Sequence, residues 1–115
     1  DWCPSRGLGD VYKRQHKLAN EISTKNLSGV LICGSGVGMS MVANRYKNVR
    51  AALCFNENMA KLSRQHNDAN ILVLGSRLIS SEEAIKCFIM FFSSEFEGGR
   101  HQARLEKFNH VESIK

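Results

Sequence analysis

Gly29-Val30-Leu31-Ile32-Cys33-Gly34-Ser35-Gly36-Val37-Gly38-Met39-Ser40 is the stretch that decides how this chain folds. Its first five residues form a continuous, mostly branched apolar run, the pattern of a strand buried on both faces of a parallel sheet. Gly34–Gly38 reads as a glycine-rich turn. Met39, Val42, Ala43 and Tyr46 then fall at i, i+3, i+4 and i+7, one face of a helix over 39–46. A strand passing through a glycine turn into a helix opens a βαβ unit, and ligands of open α/β sheets bind at the carboxyl ends of the strands. There a helix N-terminus offers N–H groups to an anion or a developing oxyanion, and glycines let the backbone come close. The turn is neither a Walker A loop, since no Lys follows the glycines, nor G-x-G-x-x-G, since it reads G-x-G-x-G. A phosphatase-type Cys would need an Arg six positions on, where Met39 stands.

The rest of the chain repeats the alternation. Leu18, Ala19 and Ile22 give one apolar face to a short helix over 16–24. Residues 49–54 read as a second strand. Asn56 caps a helix through about Gln65, with Met59 and Leu62 expected on its inner side. Residues 71–74 read as a third strand, closed by Gly75. Ser80 and Glu83 form a capping box for a helix through about Phe92. Gly98-Gly99 breaks the chain before a last helix from Arg100. The expected class is α/β with a parallel sheet built from right-handed βαβ units. Three strands make a thin sheet, so the first strands are expected to be missing from this chain.

A length of 115 residues fits one domain, and 43% hydrophobic with 23% charged residues is ordinary for a globular one. Apolar runs fall far short of the roughly 20 residues that span a bilayer, so no membrane partner is expected. The +5 net charge comes from scattered Lys and Arg, without the stripe a nucleic-acid binder shows, so no nucleic acid is expected either. Cys3, Cys33, Cys54 and Cys87 form no C-x-x-C pair, so neither a metal site nor a disulfide is expected. Free thiols in apolar stretches fit a reducing, cytoplasmic compartment. Residues 1–15 lack the periodicity of the rest. Asp10-Val11-Tyr12-Lys13-Arg14-Gln15 is what a transposon adapter end would encode, so 1–15 is read as a non-native tail and 16–115 as the single domain.

Three clusters carry candidate chemistry. Cys33, at the end of the first strand and beside a helix start, is in a setting that favours a thiolate, which could act as a base facing an oxyanion hole. A buried structural Cys fits that position equally. Ser63-Arg64-Gln65-His66-Asn67-Asp68-Ala69-Asn70 is unusually polar for a helix-to-strand junction, and a βαβ count puts it at the sheet edge opposite the glycine turn. Arg100 and Arg104, one helical turn apart, could clamp a phosphate or form a solvated basic face.

Together, Cys33-Gly-Ser-Gly-Val-Gly-Met-Ser40, Ser63-Arg-Gln-His-Asn-Asp-Ala-Asn70 and Glu97-Gly-Gly-Arg-His-Gln102 resemble the ribose-5-phosphate isomerase B family, whose fold is shared by galactose-6-phosphate isomerase subunits. The likeness runs from about His16 to the C-terminus. It implies a Rossmann-like three-layer α/β/α fold and a homodimer or dimer of dimers with sites at the subunit interface. It also implies interconversion of ribose 5-phosphate and ribulose 5-phosphate through an enediolate, without metal or organic cofactor. On this resemblance Cys33 is the base and His66 the ring-opening acid. Gly34, Ser35, Gly36, Val37 and Gly38 surround the enediolate oxygens, Asn67 binds substrate, and Arg100 and Arg104 bind the phosphate of the sugar-phosphate ligand. The chain departs from the family in lacking its opening strand with an Asp-His pair, and the helix and second strand that follow. The alternatives are a hexose-6-phosphate isomerase of the galactose or allose type, and a non-catalytic sugar-phosphate-binding fragment. Sequencing the source locus across the codons of Gln15 and His16 should show a frame continuing upstream into a strand with an Asp-His pair. An unbroken genomic frame through 1–15 would overturn the tail reading.

Overall fold

The computed structural model describes residues 8–25 and 27–107. Its elements run α1 (Leu8–Lys25), β1 (Gly29–Cys33), α2 (Val37–Ala43), β2 (Ala51–Leu53), α3 (Glu57–Asn67), β3 (Ile71–Gly75), α4 (Ser81–Ser93) and α5 (Arg100–Glu106). The strands form one parallel sheet in the order β1-β3-β2, with Gly29 to Cys33 opposite Ile71 to Gly75 and Ala51 to Leu53 opposite Ile71 to Val73. The expected α/β class and parallel sheet are what the structure shows.

β3 is the centre, and all five of its residues are buried. Alternation along a strand sends Ile71 and Val73 to one face and Leu72 and Leu74 to the other. Ile71 and Val73 join Ala19 and Ile22 of α1, Met39 and Ala43 of α2, Leu31 and Val49 in one cluster. Leu72 and Leu74 join Cys54, Ala60, Ala69, Cys87 and Phe91 in the other, against α3 and α4. Helices therefore cover both faces, as a parallel sheet requires.

Several sequence expectations shift. β1 is not buried on both faces. Among the described residues it pairs with β3 alone, and Ile32 is 48% exposed, so the helices leave part of one face of β1 uncovered. The first helix starts at Leu8 rather than His16, so residues 8–15, read from the sequence as an aperiodic tail, are helical. Residues 1–7 and 108–115 lie outside the described residues. The helix expected over 39–46 covers Val37–Ala43 instead. The second strand shrinks to Ala51–Leu53, because Asn48 takes a left-handed conformation (φ 65°) just before it. The Asn44 side chain also binds both the N–H and the carbonyl of Ala51, at 2.7 and 3.0 Å, occupying backbone groups on the open edge of β2.

Both N-caps form, but the box at Ser80 is only half made, because Glu83 Oε2 is buried without a hydrogen-bond partner instead of returning to the Ser80 N–H. Asn56 Oδ1 accepts from Met59 N at 2.9 Å, and Ser80 Oγ accepts from Glu83 N at 3.1 Å. α3 nevertheless turns Ala60 and Ser63 inward, leaving Met59 and Leu62 more than a third exposed. Small residues on the buried stripe let α3 lie close to the sheet and α4, so the bulky pair is displaced to the rim. Ile85, Phe88, Ile89 and Phe92, at i, i+3, i+4 and i+7 of α4, form an exposed apolar stripe. Among the described residues, no helix is long and apolar enough to cross a membrane.

The tightest backbone approach is at the end of β3. A Cβ on Gly75 would stand 2.5 Å from the Ser35 carbonyl oxygen. Gly75→Ala should therefore lower stability by about 1–3 kcal/mol, the usual range for overpacking, read as a lower urea midpoint. An unchanged midpoint would refute this packing.

Candidate active site

The glycine turn is built by β1, β3 and α2. Cys33 ends β1 opposite Gly75, and its side chain is only partly buried. Two hydrogen bonds tie the turn to the chain leaving β3: Ser76 N donates to the Cys33 carbonyl at 2.7 Å, and Arg77 N to the Gly34 carbonyl at 2.9 Å. Gly36 has φ +78°, a conformation that requires glycine, and a Cβ there would also push on the Leu53 side chain, whose Cδ1 would stand 2.6 Å away. Val37 N donates to Ser35 Oγ at 3.3 Å, and no side chain caps α2 at Gly36. A Cβ on Gly38 would meet no atom within 4 Å, so the chain's own packing does not demand glycine there.

The turn also carries a cation that the sequence reading passed over. A Cβ on Gly34 would lie 3.2 Å from Arg77 Nε and 3.3 Å from its Cζ, so this guanidinium lies against the turn. Its position just after the carboxyl end of β3 was the available signal, since strand ends at that edge are where α/β sheets place functional groups.

The polar stretch 63–70 divides into scaffold and site. Asp68 takes a left-handed conformation (φ 46°) to end α3. Its carboxylate accepts from Arg64 Nη1 at 2.8 Å and Arg50 Nη2 at 3.4 Å, and its carbonyl accepts from Arg50 Nε at 2.7 Å. Asn70 joins Arg50 N and the Asn48 carbonyl, both at 2.7 Å. Arg64, Asp68 and Asn70 are thus occupied in holding the amino edge of the sheet. Asn67 is exposed beside them.

His66 takes part in a separate group. Its ring stacks on that of His101 with centroids 4.3 Å apart and planes 13° from parallel. Glu97 Oε1 stands 3.8 Å from His66 Nε2 and 4.0 Å from His101 Nε2. Arg104 Nη2 reaches the His66 carbonyl at 3.3 Å and His101 Nδ1 at 2.8 Å. Gly98 and Gly99, at φ 70° and 59°, bend the chain so that α5 returns beneath α3. Burial, with further push from His66, Arg104 and Arg100, holds the His101 imidazole below the usual histidine range. Arg100 opens α5 and is exposed. Sequence reading named His66, Arg100 and Arg104 but missed Glu97 and His101 as members of this group. Both stand in the quoted motif Glu97-Gly-Gly-Arg-His-Gln102, and His101 sits one turn before Leu105 on the buried side of α5.

Ligand atoms of His66, Glu97 and His101 lie within 4.8 Å of one another, close enough to be weighed as a metal site. The hydrogen bond to Arg104 argues against it. Arginine only donates, so His101 Nδ1 must accept, which places the ring proton on Nε2, the atom an ion would need. Two stacked rings also point their in-plane lone pairs side by side rather than at one centre.

The two halves of the candidate site do not meet within one chain. Cys33 stands at the carboxyl edge of the sheet, whereas His66 precedes β3 at the amino edge, where Gly29 N donates to the Asn70 carbonyl. The five-residue strands between them span about 15 Å, far beyond proton-transfer reach.

A family model described as ribose/galactose isomerase matches residues 9–108. The chain belongs to the ribose/galactose isomerase family. It is similar to ribose-5-phosphate isomerase B of Escherichia coli K12, with 45% identity over 84 residues, covering 73% of this chain and 56% of the relative. A ribose 5-phosphate isomerase of Thermotoga maritima superposes with a TM-score of 0.80 at 46% identity, covering 84% of this chain and 67% of that one. Ribose-5-phosphate isomerase B of Mycoplasma genitalium, solved with bound ribulose-5-phosphate, superposes at 0.83 and 41% identity, covering 90% of this chain and 69% of that one. The chain spans about half the length of the curated relatives it matches. The sequence resemblance is thereby borne out at the level of family and fold.

Burial pushes the Cys54 thiol up to about 11, against a Ser63 hydrogen bond that lowers it, and burial also raises Cys87. The unfolded chain then ionises Cys54 before the folded one, so folding stability is fully present below about pH 9 and falls as pH rises toward 11. Urea unfolding across that window should show the loss, and Cys54→Ala should flatten it. Under native conditions at neutral pH, iodoacetamide should label Cys33 ahead of Cys54 and Cys87. Equal labelling of all three would contradict the burial described.

Proposed function

We propose that this chain carries part of an aldose-ketose isomerase that interconverts ribose 5-phosphate and ribulose 5-phosphate. The observation that carries the reading is Cys33, partly buried against the core at the carboxyl end of β1 and followed directly by a glycine turn whose one side-chain bond at the start of α2 is the long one from Val37 N to Ser35 Oγ among the described residues. The likeness to relatives named ribose-5-phosphate isomerase B, one with ribulose-5-phosphate bound, supports the five-carbon substrate over a hexose phosphate.

In this reading Cys33 shuttles the proton between C2 and C1. Backbone N–H groups of Gly34, Ser35, Gly36, Val37 and Gly38 surround the enediolate oxygens, that of Val37 exchanging its long bond to Ser35 Oγ for the substrate, and preorganised donors there lower the barrier most. His66 donates a proton in ring opening, and Asn67 binds the sugar. Arg100 and Arg104 hold the phosphate, a remote anchor that aligns the reacting carbons. Arg104 has donors to spare beyond the two spent on His66 and His101, since a guanidinium carries five N–H groups. Arg77 adds positive charge at the glycine turn.

Because Cys33 and His66 stand at opposite edges of one sheet, the working site joins two copies, with His66 of one facing the glycine turn of the other. The exposed stripe of Ile85, Phe88, Ile89 and Phe92 supports such a homodimer, since large apolar patches commonly mark interfaces. A cytoplasmic setting fits the free thiols. A second reading, sugar-phosphate binding without turnover, is favoured by the placement of Cys33 and His66 at opposite edges of the sheet.

In the full-length gene product, Cys33→Ala should lower turnover in both directions by on the order of 100-fold or more while leaving ribulose 5-phosphate binding intact. Unchanged turnover would remove Cys33 as the base. Binding without turnover in the parent protein would establish the second reading. Gly38→Ala should leave thermal unfolding unchanged yet slow turnover, because its methyl enters space that the chain leaves open to ligand. Unimpaired turnover would mean that substrate does not approach there.

A further inference from the structure

Resting on His66 as the ring-opening acid, we propose that His101 is a positioning residue for His66, held by Arg104 as the neutral imidazole with its proton on Nε2. The geometry is direct. Arg104 Nη2 lies 2.8 Å from His101 Nδ1. A guanidinium cannot accept, so Nδ1 contributes a lone pair, and a ring with one lone-pair nitrogen is neutral. That ring lies flat against His66, 4.3 Å away and 13° from parallel. The same guanidinium nitrogen holds the His66 carbonyl at 3.3 Å. One cation on α5 therefore fixes both the backbone of His66 and the platform under its ring.

The groups facing His101 agree. His66 comes from α3, Arg100 and Arg104 from α5, and Glu97 from the loop before it. Burial and the three basic groups disfavour a second positive charge, and only Glu97 opposes them. Glu97 is itself tied to α3, its N–H donating to the Gln65 carbonyl at 3.0 Å. His101 is 7% exposed, whereas about a third of the His66 side chain is open to solvent. Without the stack, His66 would be free to rotate among rotamers, most of them useless to a substrate.

Ring opening shows why placement matters. The C1–O4 bond of the furanose breaks, O4 takes a proton from His66, the O1 hydroxyl gives its proton to water, and water later returns a proton to His66. The acid must sit within hydrogen-bond reach of O4 at that moment. Ribulose 5-phosphate needs no such step, because the phosphate on O5 prevents a five-membered ring from closing on C2.

The test is kcat at saturating substrate in each direction, since the equilibrium constant fixes the ratio of the two kcat/KM values, measured on the full-length gene product. His66→Asn and His101→Asn should each lower turnover of ribose 5-phosphate by about 10-fold or more, while turnover of ribulose 5-phosphate is largely kept. His101→Asn removes the ring but retains an acceptor for Arg104. Equal loss in both directions for His101→Asn would mean a structural role and overturn the proposal. No loss for His101→Asn beside a one-directional loss for His66→Asn would overturn it while leaving His66 as the acid. No directional split for His66→Asn would instead remove the reading on which the proposal rests. Independently, imidazole nitrogen NMR of the parent protein at pH 7 should show His101 protonated at Nε2 alone; a proton on Nδ1 would overturn the assignment.

Discussion

Everything described depends on β3 being buried on all sides. Its five residues are buried, all five pair with β1 and Ile71 to Val73 also with β2, and its side chains seed both hydrophobic clusters. Each large-to-small change in such a strand costs several kcal/mol, typically about 2–5 for Leu or Ile to Ala. The strand also sets the two edges of the sheet. Its carboxyl end, Gly75, is pressed against Ser35 and shapes the glycine turn. Its amino end is approached through Asp68 and Asn70, which hold the loop after His66. Both halves of the candidate site are thus anchored to the most rigid element, where small displacements are least tolerated.

The amino edge shows how a polar sequence can be mostly scaffold. Asp68 bridges two arginines from different elements, and Asn70 bridges the chain on either side of a left-handed Asn48. Exposed ion pairs contribute little singly, but these are partly buried, share one carboxylate, and also satisfy backbone carbonyls. Arg64 additionally lies over the Phe91 ring at 5.8 Å, tying this edge to the core under α4. The density of polar residues in 63–70 therefore serves the fold first. His66 and Asn67 remain at its surface, available to chemistry.

Proximity in three dimensions reorganises the roles of the basic residues. Arg100 and Arg104 share a helical face in sequence, but only Arg104 is drawn onto His66 and His101. Arg77, isolated in sequence from any motif, lies on the glycine turn. Charge placement of this kind follows from how α5 docks under α3 and how the chain leaves β3, and neither is encoded in local periodicity.

Local pattern carries the succession of strands and helices along the chain, the parallel class, the first strand to the residue, both N-caps and the glycine turn. These are local matters: alternation, capping chemistry and the conformational needs of glycine act over a few residues. The family was legible too, because three long motifs stand in one order. The packing of distant segments puts β3 at the centre and leaves β1 partly exposed, turns Ala60 and Ser63 of α3 inward instead of Met59 and Leu62, and accompanies a helix that extends back to Leu8. Only it joined His101 and Glu97 to His66. Strand order, helix register and ring stacking are set by which surfaces fit when distant segments meet, and a one-dimensional pattern records no such fit.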